Sequence, residues 1–299
     1  MAISGSGSAA DPYVVDNYED FIEKIGEQYA YVTCVDNLVF DMLDIYPNGI
    51  LPTKIFQFNC DSFDGNGLII KHLYGVQTQG TNQCIIDFGA GLKEFGNLKI
   101  MDAYITTSAI WHFTNNNNFT SGNKSICNFE FNGVIMSSSD NIYINGGNLF
   151  NCTFVIDYYN TSSTLSSAKG IGFTSYKVDS CWIRLNCKRG VIIKNGSYGT
   201  PLYNTYVEGE VHAYKDDLKL LRIKEARCSI FNVACYDEGY TGVTVDFESN
   251  ISCLFNTSLK EQDVGYTTSS ITLVTTQQLK DYGYLERIFP IVQEEEETT

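Results

Sequence analysis

Ile126-Cys127-Asn128-Phe129-Glu130-Phe131 is followed by Leu149-Phe150-Asn151-Cys152-Thr153-Phe154, and the same short phrase then returns four more times. The later copies are Val178-Asp179-Ser180-Cys181-Trp182-Ile183, Leu202-Tyr203-Asn204-Thr205-Tyr206-Val207, Ile230-Phe231-Asn232-Val233-Ala234-Cys235 and Leu254-Phe255-Asn256-Thr257-Ser258-Leu259. Each opens on an apolar residue, usually passes through an aromatic or Cys, and reaches Asn, with Ser in one copy. With the third residue as marker, successive copies stand 23, 29, 24, 28 and 24 residues apart. Short strand-like runs repeating with a period in the twenties, joined by turns too brief for helices, predict a parallel β-helix. A leucine-rich repeat has a similar period, but its Leu signature is missing. The expected class is therefore all-β, a right-handed parallel solenoid. Function is to be sought on a long surface rather than in one deep cleft.

The marker residue has a physical reason. At a tight bend between two strands, Asn tolerates left-handed backbone and its amide can bond local backbone groups. Stacked at a strand spacing of about 4.8 Å, such amides can bond one another in a ladder while the flanking Phe, Ile, Leu and Cys stack inside.

Outward from the repeats, four segments are expected. Residues 1–15 are a flexible arm, rich in Gly, Ser and Ala at its start. Residues 16–55 hold a cap helix and the first strands. Asp16 or Asn17 can cap the helix, Glu19 and Asp20 suit its first turn, and Phe21, Ile22, Ile25 and Tyr29 share one face. Laid across a solenoid's first turn, such a helix would cover core and strand edge. Residues 56–270 are the β-helix, with strand-like runs at Leu68–Ile70, Cys84–Phe88, Leu98–Ile100, Asn141–Ile144 and Arg189–Lys194. Residues 271–299 form a short C-terminal helix over 277–288 and an acidic tail ending in Glu294 to Glu297. The stretch 36–53 carries the weakest pattern.

Composition bounds the partners. The 299 residues carry 20 Lys and Arg against 35 Asp and Glu, a formal net charge of −15. Such a chain repels a phosphate backbone and an anionic bilayer, so neither nucleic acid nor membrane is an expected partner. No apolar window suits a spanning helix and the start lacks the features of a signal peptide, so the chain is expected to be made in a cytoplasm. Ten Cys without CxxC spacing read as reduced, buried thiols filling apolar space, and no cofactor or metal is expected.

No motif in the chain completes a catalytic constellation. Arg222-Ile223-Lys224 matches the short basic motif of polygalacturonases, with Asp216-Asp217 nearby. The Asn-Thr-Asp segment, the earlier Asp pair and the Gly-His-Gly of that family are missing, and His72, His112 and His212 have other neighbours. Asp61-Ser62-Phe63-Asp64-Gly65-Asn66-Gly67 has neither the alternating ligands nor the closing Glu of a calcium loop and reads as a turn. Asp157, Asp179, Asp237, Glu238, Asp246 and Glu248 could include a glycosidase pair, but an acidic rod brings some carboxylates together inevitably. Trp182, inside a repeat, reads as core or subunit contact. Trp111, His112 and Asn115, beside a polar loop running to Asn118, are the candidate glycan contacts, with Thr161 to Ser167 as a second excursion.

Gly5-Ser6-Gly7-Ser8-Ala9-Ala10-Asp11-Pro12-Tyr13-Val14-Val15, continued by Asn17-Tyr18-Glu19-Asp20-Phe21, resembles the opening of many pectate-lyase-like β-helix proteins of phages and prophages. Thr276 to Leu285 and Ile288-Phe289-Pro290-Ile291 are similar to closing segments of the same virion proteins. The composition is similar to that of large gut phages of the crAss-like group. The resemblance implies a virion surface component, such as a head fibre, capsid decoration or tail appendage, and a homotrimer. It implies no catalytic residue, so the protein is expected not to be an enzyme. Asp11, Pro12, Tyr13, Val14 and Val15 are the expected docking residues toward the capsid or other virion proteins. The alternatives are a polysaccharide-degrading tailspike, acting as lyase or glycosidase, and an adhesin that holds host surface glycans.

Overall fold

The computed structural model describes residues 3–77, 83–107, 111–115, 124–137, 141–144, 147–160, 170–173, 177–188, 191–194, 201–212, 221–235, 245–251, 253–256 and 271–274. The chain is all-β apart from two short helices, Tyr18–Ile25 and Met42–Ile45. All pairings between its strands are parallel among the described residues. One ladder starts at Tyr13–Val15 and passes through Tyr31–Cys34, Ser62–Lys71, Glu94–Thr107 and Ser125–Ser137. It continues through Thr153–Asn160, Trp182–Lys188, Tyr206–His212 and Ile230–Cys235 to Cys253–Asn256 and Ile271–Val274. A second ladder joins Lys54–Phe58, Gln83–Phe88, Trp111–Asn115, Asn141–Ile144, Gly170–Phe173 and Val191–Lys194.

Alternation of inward and outward side chains builds the core as rows that run across the strands. Phe63, Phe95, Ile126, Leu149, Val178, Leu202 and Ala226 occupy matching positions on successive strands, and all are buried. Ile70, Ile100, Phe131, Phe154, Ile183, Val207 and Phe231 form a second buried row. Each Val, Leu, Ile or Phe side chain among them contributes about 1.5–3 kcal/mol through the apolar area it removes from water. Where neighbouring strands approach most closely only Gly fits: a Cβ on Gly209, at φ +155°, would stand 1.8 Å from the Leu185 carbonyl oxygen.

The bends between strands explain the repeat. Asn97, Asn128, Asn151, Ser180, Asn204 and Cys228 all have φ between +48° and +55° and stack as one column. Four of the six sequence markers stand in this column. The other two do not: Asn232 is paired with Glu208 inside a strand, and Phe255, next to Asn256, with Phe231. The bend in that copy falls four residues earlier, at Cys228. Asn97 belongs to the column and lay outside the six copies.

Amide stacking occurs as expected. Asn151 Nδ2 donates to Asn128 Oδ1 at 2.7 Å, Asn128 Nδ2 to Asn97 Oδ1 at 2.8 Å, and Asn97 Nδ2 to Asp64 Oδ1 at 2.8 Å. An amide both donates and accepts, so it relays the chain; the Asp64 carboxylate only accepts, so it ends it. At Ser180 the relay stops, and Asn204 Nδ2 donates instead to Asp179 Oδ1 at 3.0 Å.

Immediately after the bend, on the inside, comes a row of small thiols and hydroxyls. Cys152, Cys181, Thr205 and Ser229 each donate to the carbonyl two residues before, at 3.4, 3.2, 2.8 and 3.0 Å. Two of them also accept across the ladder, Cys181 Sγ from the Cys152 backbone N–H at 3.4 Å and Ser229 Oγ from that of Thr205 at 3.3 Å. These cysteines are therefore more than apolar filling: they satisfy backbone groups that the bend leaves over. Burial holds the Cys152 thiol far above its ordinary pKa, with a contribution from its bond to Cys181.

At the N-terminal end the helix is shorter than expected and Tyr29 lies outside it. Asn17 is its cap, its side chain accepting from the Asp20 backbone N–H at 2.9 Å. Phe21 is fully buried among Phe40, Phe56, Phe58 and Phe63, with ring centroids 5.3–6.1 Å away. The expectation of a free arm over residues 1–15 is corrected from Ser4 onward. Val14 N–H donates to the Ser4 carbonyl, Tyr31 N–H to that of Gly7, and Tyr13–Val15 is the first strand of the ladder. The stretch 36–53 contains two short strands, Val39–Asp41 and Ile50–Leu51, around the helix Met42–Ile45. The predicted C-terminal helix and acidic tail lie outside the described residues.

Candidate functional site

Outward-facing positions of the long strands form columns too, and they differ in chemistry. The two columns near the bend each carry an ion pair: in the first Lys99 Nζ meets Glu130 Oε2 at 2.9 Å, and in the second Arg184 Nε lies 3.7 Å from Glu208 Oε1. Trp182 is half-buried in the first of these columns, beside Thr153 and Tyr206, and its Nε1 donates to Glu208 Oε1 of the second at 3.2 Å. It is on the outer face, so the core alternative for Trp182 is set aside.

Farther along the strands the columns carry few charged residues until they reach Lys188, in register with Tyr159, and Glu210, in register with Asn186. Tyr74, Tyr104, Val134, Asp157 and Asn186 are in register on successive strands. Beside them run Ile50, Val76, Thr106, Met136 and Tyr159. Ile50 is 63 % exposed, Tyr104 45 % and Val76 42 %. The single charge among these ten, Asp157, accepts from Asn186 Nδ2 at 2.8 Å.

Among the described residues the densest titratable group centres on His72. Its Nδ1 is 3.0 Å from both Asp41 carboxylate oxygens, its Nε2 is 3.4 Å from Asp102 Oδ2, and Tyr74 donates to Asp102 at 2.7 Å. Lys71 Nζ approaches Asp41 at 3.5 Å. The His72 bond, ahead of the Leu43 backbone N–H and Lys71, holds the Asp41 carboxyl below its ordinary range. The bond to Asp102 pushes the Tyr74 hydroxyl up. An imidazole–carboxylate pair serves as a general base when one ring nitrogen faces the substrate. Here carboxylates take both nitrogens, which is the arrangement of a surface charge cluster.

Other candidate carboxylates are likewise engaged. Asp179 meets Lys177 Nζ at 2.7 Å as well as Asn204 and Ser180; burial raises its pKa, but these three partners outweigh burial and the net shift is downward. In the segment Asp61 to Gly67 Asp61 pairs with Lys93 at 3.0 Å, while Asp64 receives Asn97 and the Asn66 backbone N–H. No group of three or more His, Cys, Asp or Glu suited to a metal ion occurs among the described residues.

Asp11, Pro12, Tyr13 and Val14 lie at the exposed or half-exposed start of the ladder, whereas Val15 is fully buried. Val15 therefore cannot dock a partner, because its side chain is part of the core. Tyr13 is tied inward, with its hydroxyl donating to Glu27 Oε1 at 3.2 Å and Lys24 Nζ 4.6 Å from its ring centroid. Trp111, His112 and Asn115 belong to the strand Trp111–Asn115, in register with Gln83, Cys84 and Asp87. The polar loop after Asn115, the segment Thr161 to Ser167, and Asp216, Asp217, Asp237 and Glu238 lie outside the described residues. Arg222 and Lys224 are on the strand Leu221–Arg227, at positions parallel to Val245–Ile251.

Sequence reasoning missed the neutral strip. Its residues are single apolar positions, each on a different strand, and only the register brings them into line. No helix among the described residues is long and apolar enough to cross a membrane. Comparisons with family models, with curated proteins and with solved structures gave no match.

Proposed function

We propose that the chain winds as a right-handed parallel β-helix and serves as a non-enzymatic structural appendage on a phage virion, a head fibre or similar surface component assembled as a homotrimer. The observation that carries this reading is the parallel ladder running from Tyr13 to Val274, whose strands pair with those 18 to 32 residues on. Such pairing suits a stiff projecting shaft, and the resemblance of both end segments to virion β-helix proteins supplies the setting. The engagement of Asp41, Asp61, Asp157 and Asp179 by neighbouring side chains supports a mechanical role over catalysis. Attachment to the capsid or another virion protein would use the exposed part of the N-terminal segment, Asp11 to Val14, with Val15 excluded.

Immunogold labelling of purified particles with antibody to the recombinant chain tests the assignment. Labelling at the particle surface is expected, and particles free of the chain would overturn it. In parallel, purified protein incubated with host surface glycans is expected to release no reducing ends or unsaturated sugars. Turnover would replace the structural reading with the depolymerase, and binding without turnover with the adhesin.

A further inference from the structure

We propose that the nearly neutral strip of Ile50, Val76, Tyr104, Thr106, Met136 and Tyr159 is the surface on which copies of this chain meet, side by side around a common axis. The inference rests on the homotrimer in the reading above and deepens it by naming the face. The strip is outward-facing sheet whose apolar members are exposed to a degree that a free monomer gains nothing from, Ile50 at 63 % above all. Exposed apolar surface in a continuous line marks an interaction site.

Charge identifies the occupant. The chain carries a net charge of −15, so its copies repel one another over most of their surface. In a cyclic assembly of parallel rods, the strip facing the axis brings each side chain against its own copies at the same height. Any charge there meets the same charge, which no rotamer relieves. A strip facing an axis must therefore be uncharged, whereas a strip facing a different protein could carry charges matched by that partner. The columns divide accordingly. Lys99 and Glu130 occupy the column next to the bend and Arg184 and Glu208 the one after it, whereas the strip holds no charged residue from Ile50 to Tyr159 and ends where Lys188 follows in register, with the Tyr104 hydroxyl donating within it to Met136 Sδ at 2.8 Å. Asp157, at the strip's border, has its carboxylate turned to Asn186.

Native mass spectrometry of the full chain and of charge-swap variants tests the proposal. Wild type is expected as a trimer. Met136→Glu and Met136→Lys, each purified alone, should need about tenfold or more protein to assemble, because like charges would meet at the axis. Co-expressed, the two variants should form mixed trimers, since the opposite charges then face each other. Both side chains point outward, so circular dichroism should be unchanged. If a Met136 variant fails to fold, the pair Val76→Glu and Val76→Lys, two strands earlier, asks the same question. Trimers formed equally well by wild type and by every single variant would remove this face from the proposal while leaving the homotrimer standing. A monomeric wild type would overturn both.

Discussion

At the scale of single residues, the bend column combines two requirements that Asn meets together, left-handed backbone and a relaying amide. Asn128 has φ +52° and bonds both Asn97 and Asn151. Asn128→Gly keeps the backbone at ease and loses the relay, for an expected cost of about 1 kcal/mol. Asn128→Ala loses the relay and adds left-handed strain, for about 2 kcal/mol or more. Urea unfolding should rank wild type above Gly and Gly above Ala; equal costs for Gly and Ala would show that conformation is not what selects Asn here. This pairing of needs is also why the repeat was legible in sequence, and why it misled in two copies. The phrase ending in Asn232 resembles the others in composition, but Cys228 takes the bend and Ser229 the inner hydroxyl position. Cys228 adopts the left-handed backbone there, and Asn232 holds an ordinary strand position opposite Glu208.

Among elements, the helix Tyr18–Ile25 shows how much of the fold local signals could reveal. Spacing narrows its cap to Asp16 or Asn17 and places Phe21 and Ile25 on the buried face, while Ile22 and Tyr29, expected on that same face, are exposed. Its early end does not follow from spacing. The Ile25 carbonyl accepts from the backbone N–H groups of Asn59 and Cys60, at 2.7 and 3.1 Å, so tertiary bonds take the place of another helical turn. The same cause hid the order of residues 4–14, whose Gly and Ser suggest freedom while their backbone is tied to Tyr31 and to each other. The candidate site was the least legible part, since the neutral strip exists only once register is known. If the helix seals the aromatic cluster, Phe21→Ala should cost about 3–5 kcal/mol, a cavity-forming loss, against about 1 kcal/mol for Asn17→Ala. Thermal and urea unfolding of the two variants measure the difference. A Phe21→Ala cost no larger than that of the cap would show that the helix is an ornament on the ladder rather than part of its core.

For the whole molecule, charge and pH act in opposite senses. Lowering pH from 7 toward the sequence pI of about 4.5 removes self-repulsion and should hold or raise the melting temperature. Below that, Asp41 and Asp179 decide the sign. Both have folded pKa values below the ordinary one, so the stability they contribute is complete above the ordinary carboxylate range and disappears as pH falls through their lowered values. Calorimetric melting should therefore be level or rising from pH 7 to about 5 and fall steeply below about pH 4. The same balance yields a sharper test of the proposed trimer. Were trimers held by ion pairs across their interfaces, about 0.5 M NaCl, with a screening length of only a few ångströms, would loosen them. Copies that touch through an uncharged strip while repelling elsewhere should instead assemble more tightly, since salt screens the repulsion and strengthens apolar contact. Sedimentation velocity at low and high salt reads the direction, and a trimer that dissociates on adding NaCl would rule out an uncharged meeting face.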